Sequence, residues 1–261
     1  PGDKVITTSL TFAASANCIR YCGGEVVFVD INPETFLIDL DKVEYLLRNE
    51  PYGTFKGLVP VDFAGRAVNL ERCKELAEEF DLWILEDACH APGASFIDSK
   101  GNIQKSGNGN FADLAIFSLH PVKHIATGEG GIITTNNENL YKKLLTLRTH
   151  GITKEQFNFK NTIFQAGGSI TDIEYPGWYM EMQELGYNYR ITDFQCALGK
   201  SQLKRANEGL RKRHEIAKRY DLAFQNKSNI KSPSLEINSN FIDNHAYHLY
   251  VLLVEDRLGL Y

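Results

Sequence analysis

Along the first 150 residues, short apolar runs rich in Val, Ile, Leu and Phe alternate with longer stretches whose apolar residues recur at helical spacing. The short runs, at 4–7, 25–29, 57–61, 82–86, 114–118 and 131–135, predict strands. The stretches between them, 11–21, 40–48, 70–80 and 139–148, predict helices, with Asp39 or Asp41 and Asn69 placed as N-caps for two of them. Such alternation implies strand–helix–strand units around a mainly parallel sheet.

The pattern then changes. Residues 98–110, rich in Gly, Asn, Ser and Lys, read as a surface loop, because they have neither periodicity nor enough apolar mass to pack. A second polar stretch, 153–179, precedes a helical segment over 191–225 whose basic positions include Lys204, Arg205, Arg211, Lys212, Arg213, Lys218 and Arg219. Glu208 and Glu215 interrupt that run, so it reads as a solvated helix face rather than a nucleic-acid site. Residues 246–254 resemble a strand of a smaller terminal domain, and no internal repeat is visible.

Composition narrows the choice of class. With 43% hydrophobic and 23% charged residues among 261, the chain fits a soluble globular protein, and its net charge of -5 offers no general attraction to nucleic acid or an anionic membrane. No run approaches the roughly 18–20 apolar residues of a membrane helix and no signal-peptide pattern is present, so a cytoplasmic location is expected. Cys18, Cys22, Cys73, Cys89 and Cys196 are scattered and read as reduced, mostly buried thiols; no metal site is expected, since zinc binding by Cys18, Cys22 and histidines would need tertiary contacts. The chain opens at Pro1 without a Met and stops soon after a strand-like run, so it reads as an internal piece of a longer protein.

Two positions stand out chemically. Asp87 ends the apolar run Leu82-Trp83-Ile84-Leu85-Glu86-Asp87, where open α/β sheets place ligand groups; taken alone, a turn or cap residue fits equally well. Lys123 follows Phe117-Ser118-Leu119-His120-Pro121-Val122 and precedes Gly128-Glu129-Gly130-Gly131. An amine, a carboxylate and hydrogen-bond donors are the groups that pyridoxal-phosphate chemistry needs, and desolvation would favour the neutral, nucleophilic form of the lysine. By contrast, Gly107-Asn108-Gly109-Asn110-Phe111-Ala112 matches a dinucleotide-binding pattern but follows a polar loop rather than the first strand, and is read as a chance match.

Three blocks in order, Glu86-Asp87-Ala88-Cys89-His90-Ala91, Phe117-Ser118 through Lys123 to Gly131, and Gly186-Tyr187-Asn188-Tyr189-Arg190, resemble the signatures of the DegT/DnrJ/StrS sugar aminotransferases. The likeness runs from Pro1 over essentially the whole chain and takes in Thr11-Phe12 and Asp30. It implies an α/β protein of the aspartate-aminotransferase type (fold type I): a pyridoxal-phosphate-binding large domain at 1–150, an interface and cofactor-proximal segment at 151–190, and part of a smaller C-terminal α+β domain at 191–261. Carried over by residue, Lys123 is the Schiff-base lysine, Asp87 the partner of the pyridine nitrogen, Ser118 a phosphate ligand, His90 a residue near the cofactor ring and Phe12 a stacking aromatic. Asn188 and Arg190 match residues that reach the phosphate of the neighbouring subunit's cofactor, which implies a homodimer. The family's Gly-Thr/Ser phosphate-binding segment is expected before Pro1.

The implied reaction passes an amino group from L-glutamate to the C4 ketone of a UDP-linked 4-keto-6-deoxy-N-acetylhexosamine, in ping-pong fashion. Residues 120–123 and 176–186 look most like the pseudaminic-acid branch of the family. Another nucleotide-linked 3- or 4-keto sugar and a regulatory family member stay open as alternatives. A family dehydratase would carry His where this chain has Lys123, and a DNA-binding regulator would need a basic surface that the charge balance does not supply.

Overall fold

The computed structural model describes residues 1–169, 171–232 and 245–260, which divide into two compact units, Pro1–Asn136 with Asp193–Tyr261, and Asn137–Thr192. The first unit is built on a six-stranded sheet of β1 (Lys4–Thr8), β2 (Glu25–Val29), β3 (Phe55–Val59), β4 (Trp83–Asp87), β7 (Leu114–Ser118) and β8 (Gly131–Thr134), in the order β2-β1-β3-β4-β7-β8. Every neighbouring pair is parallel except β7 and β8.

Alternation within the strands sorts the core onto two faces. Ile6, Leu58 and Ile84 pack with Val43 and Leu47 of α2 (Leu40–Asn49) and Leu76 of α3 (Leu70–Phe80), whereas Val5 and Val59 meet Ile19 of α1 (Ala14–Tyr21). Asp39 caps α2 by accepting from the Asp41 and Lys42 amides, and Asn69 caps α3 through the Arg72 amide. On the outer surface Arg48 joins the two helices, bonded to Glu44 and Glu79 with its guanidinium 5.5 Å from the Phe80 ring centre.

The structure departs from the sequence reading in four places. The segment 98–110, expected as a surface loop, contains β6 (Ile103–Lys105), which pairs with β5 (Ser95–Ile97) in a hairpin whose turn is closed by Asp98, accepting from the Lys100 and Asn102 amides. The helix expected from residue 11 starts at Ala14, because the preceding turn is closed by the Ser15 amide on the Phe12 carbonyl. The helical segment 191–225 is two helices, α5 (Asp193–Leu203) and α6 (Ala206–Phe224), with Arg205 in a non-helical conformation between them. In 246–254 only β12 (Leu253–Val254) pairs, with β11 (Ile230–Lys231). The rest of that stretch binds the turn at residues 63–66, with the Ala246 amide on the Gly65 carbonyl at 2.6 Å and the Leu249 amide on Ala64 at 3.1 Å.

In the second unit, α4 (Glu138–Arg148) is capped by Asn137, and the short strands β9 (Ile152–Thr153) and β10 (Glu181–Met182) pair antiparallel. Glu181 gathers the loops here by accepting from the Lys160 and Asn161 amides and the Tyr179 hydroxyl. No helix among the described residues is long and apolar enough to cross a membrane.

Candidate active site

Asp87 is held at the carboxyl end of β4 by backbone on both sides: its amide donates to the Pro60 carbonyl at 2.9 Å and its carbonyl accepts from the Asp62 amide at 3.0 Å, while β7 pairs along its other edge. The side chain is 6% exposed. One carboxylate oxygen, Oδ2, accepts from the Ser15 hydroxyl at 2.6 Å, and Oδ1 accepts from the Cys89 amide at 3.2 Å. Burial pushes the Cys89 thiol pKa up, with Asp87's charge adding to the effect, so this cysteine stays protonated beside the carboxylate.

Lys123 sits in the connection from β7 to β8. That loop closes on itself: the Lys123 amide donates to His120, the Thr127 amide to Leu119, and the Leu119 amide to Gly130. The lysine is half-buried. Burial lowers its pKa from the usual ammonium value, partly opposed by the negative charge of Asp87, so the neutral amine is more accessible than in water. Ser118, where the loop leaves β7, accepts weakly from the His120 amide at 3.3 Å and keeps its own hydroxyl proton to give.

Next to these groups lies a cluster of imidazoles. His90 stacks on His248 with ring centres 4.3 Å apart, and His124 approaches His248 at 5.5 Å. Burial is the main cause that pushes all three down, His90 and His124 to about 4 and His248 to about 3, with the Lys123 cation contributing in each case. They are therefore neutral at pH 7. His124 must carry its proton on Nε2, because that atom lies 2.9 Å from the Ala246 carbonyl. The Nδ1 atoms of His90, His124 and His248 are buried without a hydrogen-bond partner.

Gly65 makes this cluster possible. Its φ is +104°, and a Cβ there would come within 2.8–3.0 Å of the Tyr247 and His248 amides and the His90 carbonyl. Only glycine lets the two backbones approach closely enough to lay His248 on His90.

Behind Asp87 a pair of buried carboxylates shares its surroundings with it. Asp62 accepts from the Val68 amide at 2.8 Å and the Ser106 hydroxyl at 2.6 Å, and Glu86 accepts from the Gly107 amide on both oxygens. Burial is the largest cause raising each pKa, and Glu86, pushed up to about 9, keeps its proton at neutral pH. The Gly107 that resembled part of a dinucleotide motif thus serves as a donor to the core.

The structure brings Asp87, His90 and Lys123 together, with Ser118 at the root of the same loop. Phe12, 75% exposed, lies in the turn before α1, next to Thr11. Asn188 and Arg190 belong to the second unit, where the Arg190 guanidinium donates to Asn188 Oδ1 at 3.3 Å and Asn188 bridges to Thr149. Sequence reasoning did not single out Ser15, His124 or His248. The one available signal was the polar pair Thr11 and Ser15, four residues apart at the entrance to a helix. A groove of about 760 Å³ borders Phe117, Ser118, His124 and, on α6, Leu210 and Arg213; Asp87, His90 and Lys123 do not line it.

Relatives match this chain along nearly its whole length. The model of the DegT/DnrJ/EryC1/StrS aminotransferase family matches residues 1–259. A Campylobacter jejuni UDP-4-amino-4,6-dideoxy-N-acetyl-beta-L-altrosamine transaminase is 38% identical over 96% of this chain and 58% of its own length. Helicobacter pylori PseC, an aminotransferase involved in the biosynthesis of pseudoaminic acid, superposes with a TM-score of 0.78 at 30% identity, over 97% of this chain and 58% of that one. The sugar aminotransferase Spr1654 of Streptococcus pneumoniae, solved in a PMP-form, superposes with a TM-score of 0.77 at 29% identity, over 98% and 62% of the two chains. The chain thus spans about 60% of the length of these relatives. With a family match over nearly every residue, the chain belongs to the DegT/DnrJ/EryC1/StrS aminotransferase family.

Proposed function

We propose that this chain is the cofactor-holding part of a pyridoxal-phosphate-dependent sugar-nucleotide aminotransferase. The observation that carries the reading is the meeting of a desolvated lysine, a buried strand-end carboxylate and a neutral histidine at one end of the sheet. The cofactor fits the chemistry of these residues. Asp87 offers an acceptor suited to a protonated ring nitrogen, Ser118 a hydroxyl donor suited to a phosphate, and the imidazoles three buried nitrogens that lack partners.

Lys123 would hold the cofactor covalently through Nζ, with Asp87 at the ring nitrogen, Ser118 at the phosphate, and His90 and Phe12 flanking the ring. When bound, pyridoxal phosphate supplies an electron sink for a carbanion formed beside nitrogen. Asp87, kept as an oriented acceptor by Ser15 and the Cys89 amide, would hold a proton at that nitrogen. Nζ of Lys123 would take a proton from the donor's Cα and return it, and its lowered pKa suits that exchange. The surrounding imidazoles are uncharged, so they can donate or accept hydrogen bonds without adding a competing cation.

The narrower reading takes L-glutamate as donor and a UDP-linked 4-keto-6-deoxy-N-acetylhexosamine as acceptor, aminated at C4 in a ping-pong sequence. It rests on the resemblance of residues 120–123 and 176–186 and on the names of the relatives. By the same resemblance the working form is a cytoplasmic homodimer in which Asn188 and Arg190 reach the partner's phosphate site.

The test uses the full-length protein, incubated with pyridoxal phosphate and followed by absorption before and after L-glutamate. Conversion of the bound cofactor to its amine form, with release of 2-oxoglutarate, supports the reading. Borohydride reduction of the protein loaded with pyridoxal phosphate, before glutamate is added, should fix the cofactor on Lys123, and Lys123→Ala should lose both the fixed cofactor and turnover while melting at nearly the same temperature. Steady transamination by Lys123→Ala, or a folded protein that takes up no cofactor, overturns it.

A further inference from the structure

Asp87 does not stand alone at the end of its strand. Ser15, 2% exposed, donates to Asp87 Oδ2 at 2.6 Å, and Thr11 Oγ1 lies 2.7 Å from Ser15 Oγ. A hydroxyl has one proton. With that of Ser15 committed to a carboxylate, the contact with Thr11 can only run the other way, Thr11 donating to Ser15. The direction of the chain Thr11→Ser15→Asp87 is therefore fixed by chemistry.

These two hydroxyls belong to one stretch of backbone. Thr11 lies in the turn after β1, Ser15 in the first turn of α1, and Phe12 between them. The turn is itself closed by the Ser15 amide on the Phe12 carbonyl at 3.2 Å. The chain of hydroxyls thus links the segment bearing Phe12 to a residue 72 positions away on β4. Hydrogen bonds to a charged acceptor are the strong class, and burial of both Ser15 and Asp87 keeps water from replacing this one.

We propose that Thr11 and Ser15 are positioning residues for the reaction: their relay fixes the orientation of the Asp87 carboxylate and sets the Phe12 turn in register with it. The inference rests on the cofactor reading of Asp87 given above. Two groups that would contact one planar ring, Asp87 at its edge and Phe12 at its face, come from distant parts of the chain, and the relay is the direct hydrogen-bonded link between them. With Oδ2 held by Ser15 and Oδ1 by the Cys89 amide, the carboxylate plane cannot rotate freely, which leaves the remaining lone pairs in a set direction.

The experiment compares wild type, Ser15→Ala, Ser15→Thr and Thr11→Val in the full-length protein. It measures pyridoxal-phosphate affinity by fluorescence titration, the pH dependence of the bound cofactor's absorption, and the melting temperature without cofactor. Loss of one charge-assisted hydrogen bond corresponds to roughly a tenfold change in affinity. The expected result is that Ser15→Ala binds about ten times more weakly and shifts the absorption pH profile, Ser15→Thr restores both, and Thr11→Val shows a smaller change of the same sign. Restoration by Thr is what a purely space-filling role does not produce. If Ser15→Ala folds poorly, the same two readouts on Thr11→Val decide. Wild-type affinity and pH profile in both Ser15→Ala and Thr11→Val sink the relay while leaving the cofactor reading intact. Failure of the wild-type protein to bind the cofactor sinks that reading, and the relay with it.

Discussion

Asp87 shows how much a single carboxylate depends on neighbours that the local sequence does not reveal. Its backbone is pinned by Pro60 and Asp62, and its side-chain oxygens by Ser15 and the Cys89 amide. Asp87→Asn preserves shape and most of these contacts but removes the charge. Turnover should therefore fall at least about a hundredfold, as when a preorganised electrostatic partner is lost, with the protein still folded. Near-normal rates with cofactor bound, measured by coupled assay of 2-oxoglutarate release, would show that Asp87 does not act at the ring nitrogen. Asp87 and Lys123 were legible as candidates because one ends an apolar strand and the other follows one, the position where α/β sheets carry ligand groups. Ser15 and His248 were not. Their roles come from partners 72 and 158 positions away, and no spacing rule encodes such a distance.

At the level of elements, strong periodicity and caps carried the prediction furthest. α3 matches its expected span of 70–80, and the edges of β2 and β7 fall where the apolar runs end. The β5–β6 hairpin escaped because its strands are three residues long and its turn is closed by side-chain bonds from Asp98 rather than by hydrophobic pattern. The division between α5 and α6 escaped because neither Pro nor Gly marks it. Gly65 is the element-level hinge of the site, where the turn at 63–66 receives the segment that brings in His248. Gly65→Ala meets two backbone amides and an unfavourable φ, and should cost about 2 kcal/mol or more. Denaturant unfolding checks this, and an unchanged midpoint would mean that the two segments can separate at little cost.

For the molecule as a whole, opposed titrations define a working pH range. His90, His124, His245 and His248 all have depressed values, between about 3 and 4, against an ordinary value near 6.5. The unfolded chain binds more protons there, so their contribution is present above about pH 6.5 and lost as pH falls toward 4. Glu86 runs the other way. With its value raised to about 9 it binds a proton more readily in the folded state, so stability declines from near its unfolded value upward until pH 9. Below pH 6.5 the histidines outnumber the raised carboxyls; above pH 7 the raised Glu86 and the thiols raised by burial lower stability as pH rises, and the lowered Lys123 opposes them. Stability should peak near neutrality, and the share of the alkaline fall due to Glu86 is about 1.4 kcal/mol per pH unit for one proton. Glu86→Gln, a neutral isostere, should flatten that alkaline limb in melting curves from pH 7 to 9; an unchanged slope would assign it to other groups. The proposed homodimer has its own test. Lys123→Ala and Arg190→Ala, each inactive alone, should regain about a quarter of wild-type activity when mixed under exchange, if each site borrows Arg190 from the partner. No recovery in confirmed mixed dimers would remove Arg190 from the shared site.

The stacking of His248 on His90, seated by Gly65, also has a temporal consequence. A chain emerging from the ribosome can lay down β1 to β8 and expose Lys123 long before residue 248 is synthesised, and domains assemble as their last required contacts become available. During that interval the amine and carboxylate are present with His90 and His124 but without His248, which completes the imidazole cluster. On the proposed cofactor reading, the site should be completed only late in translation, once residue 248 has emerged.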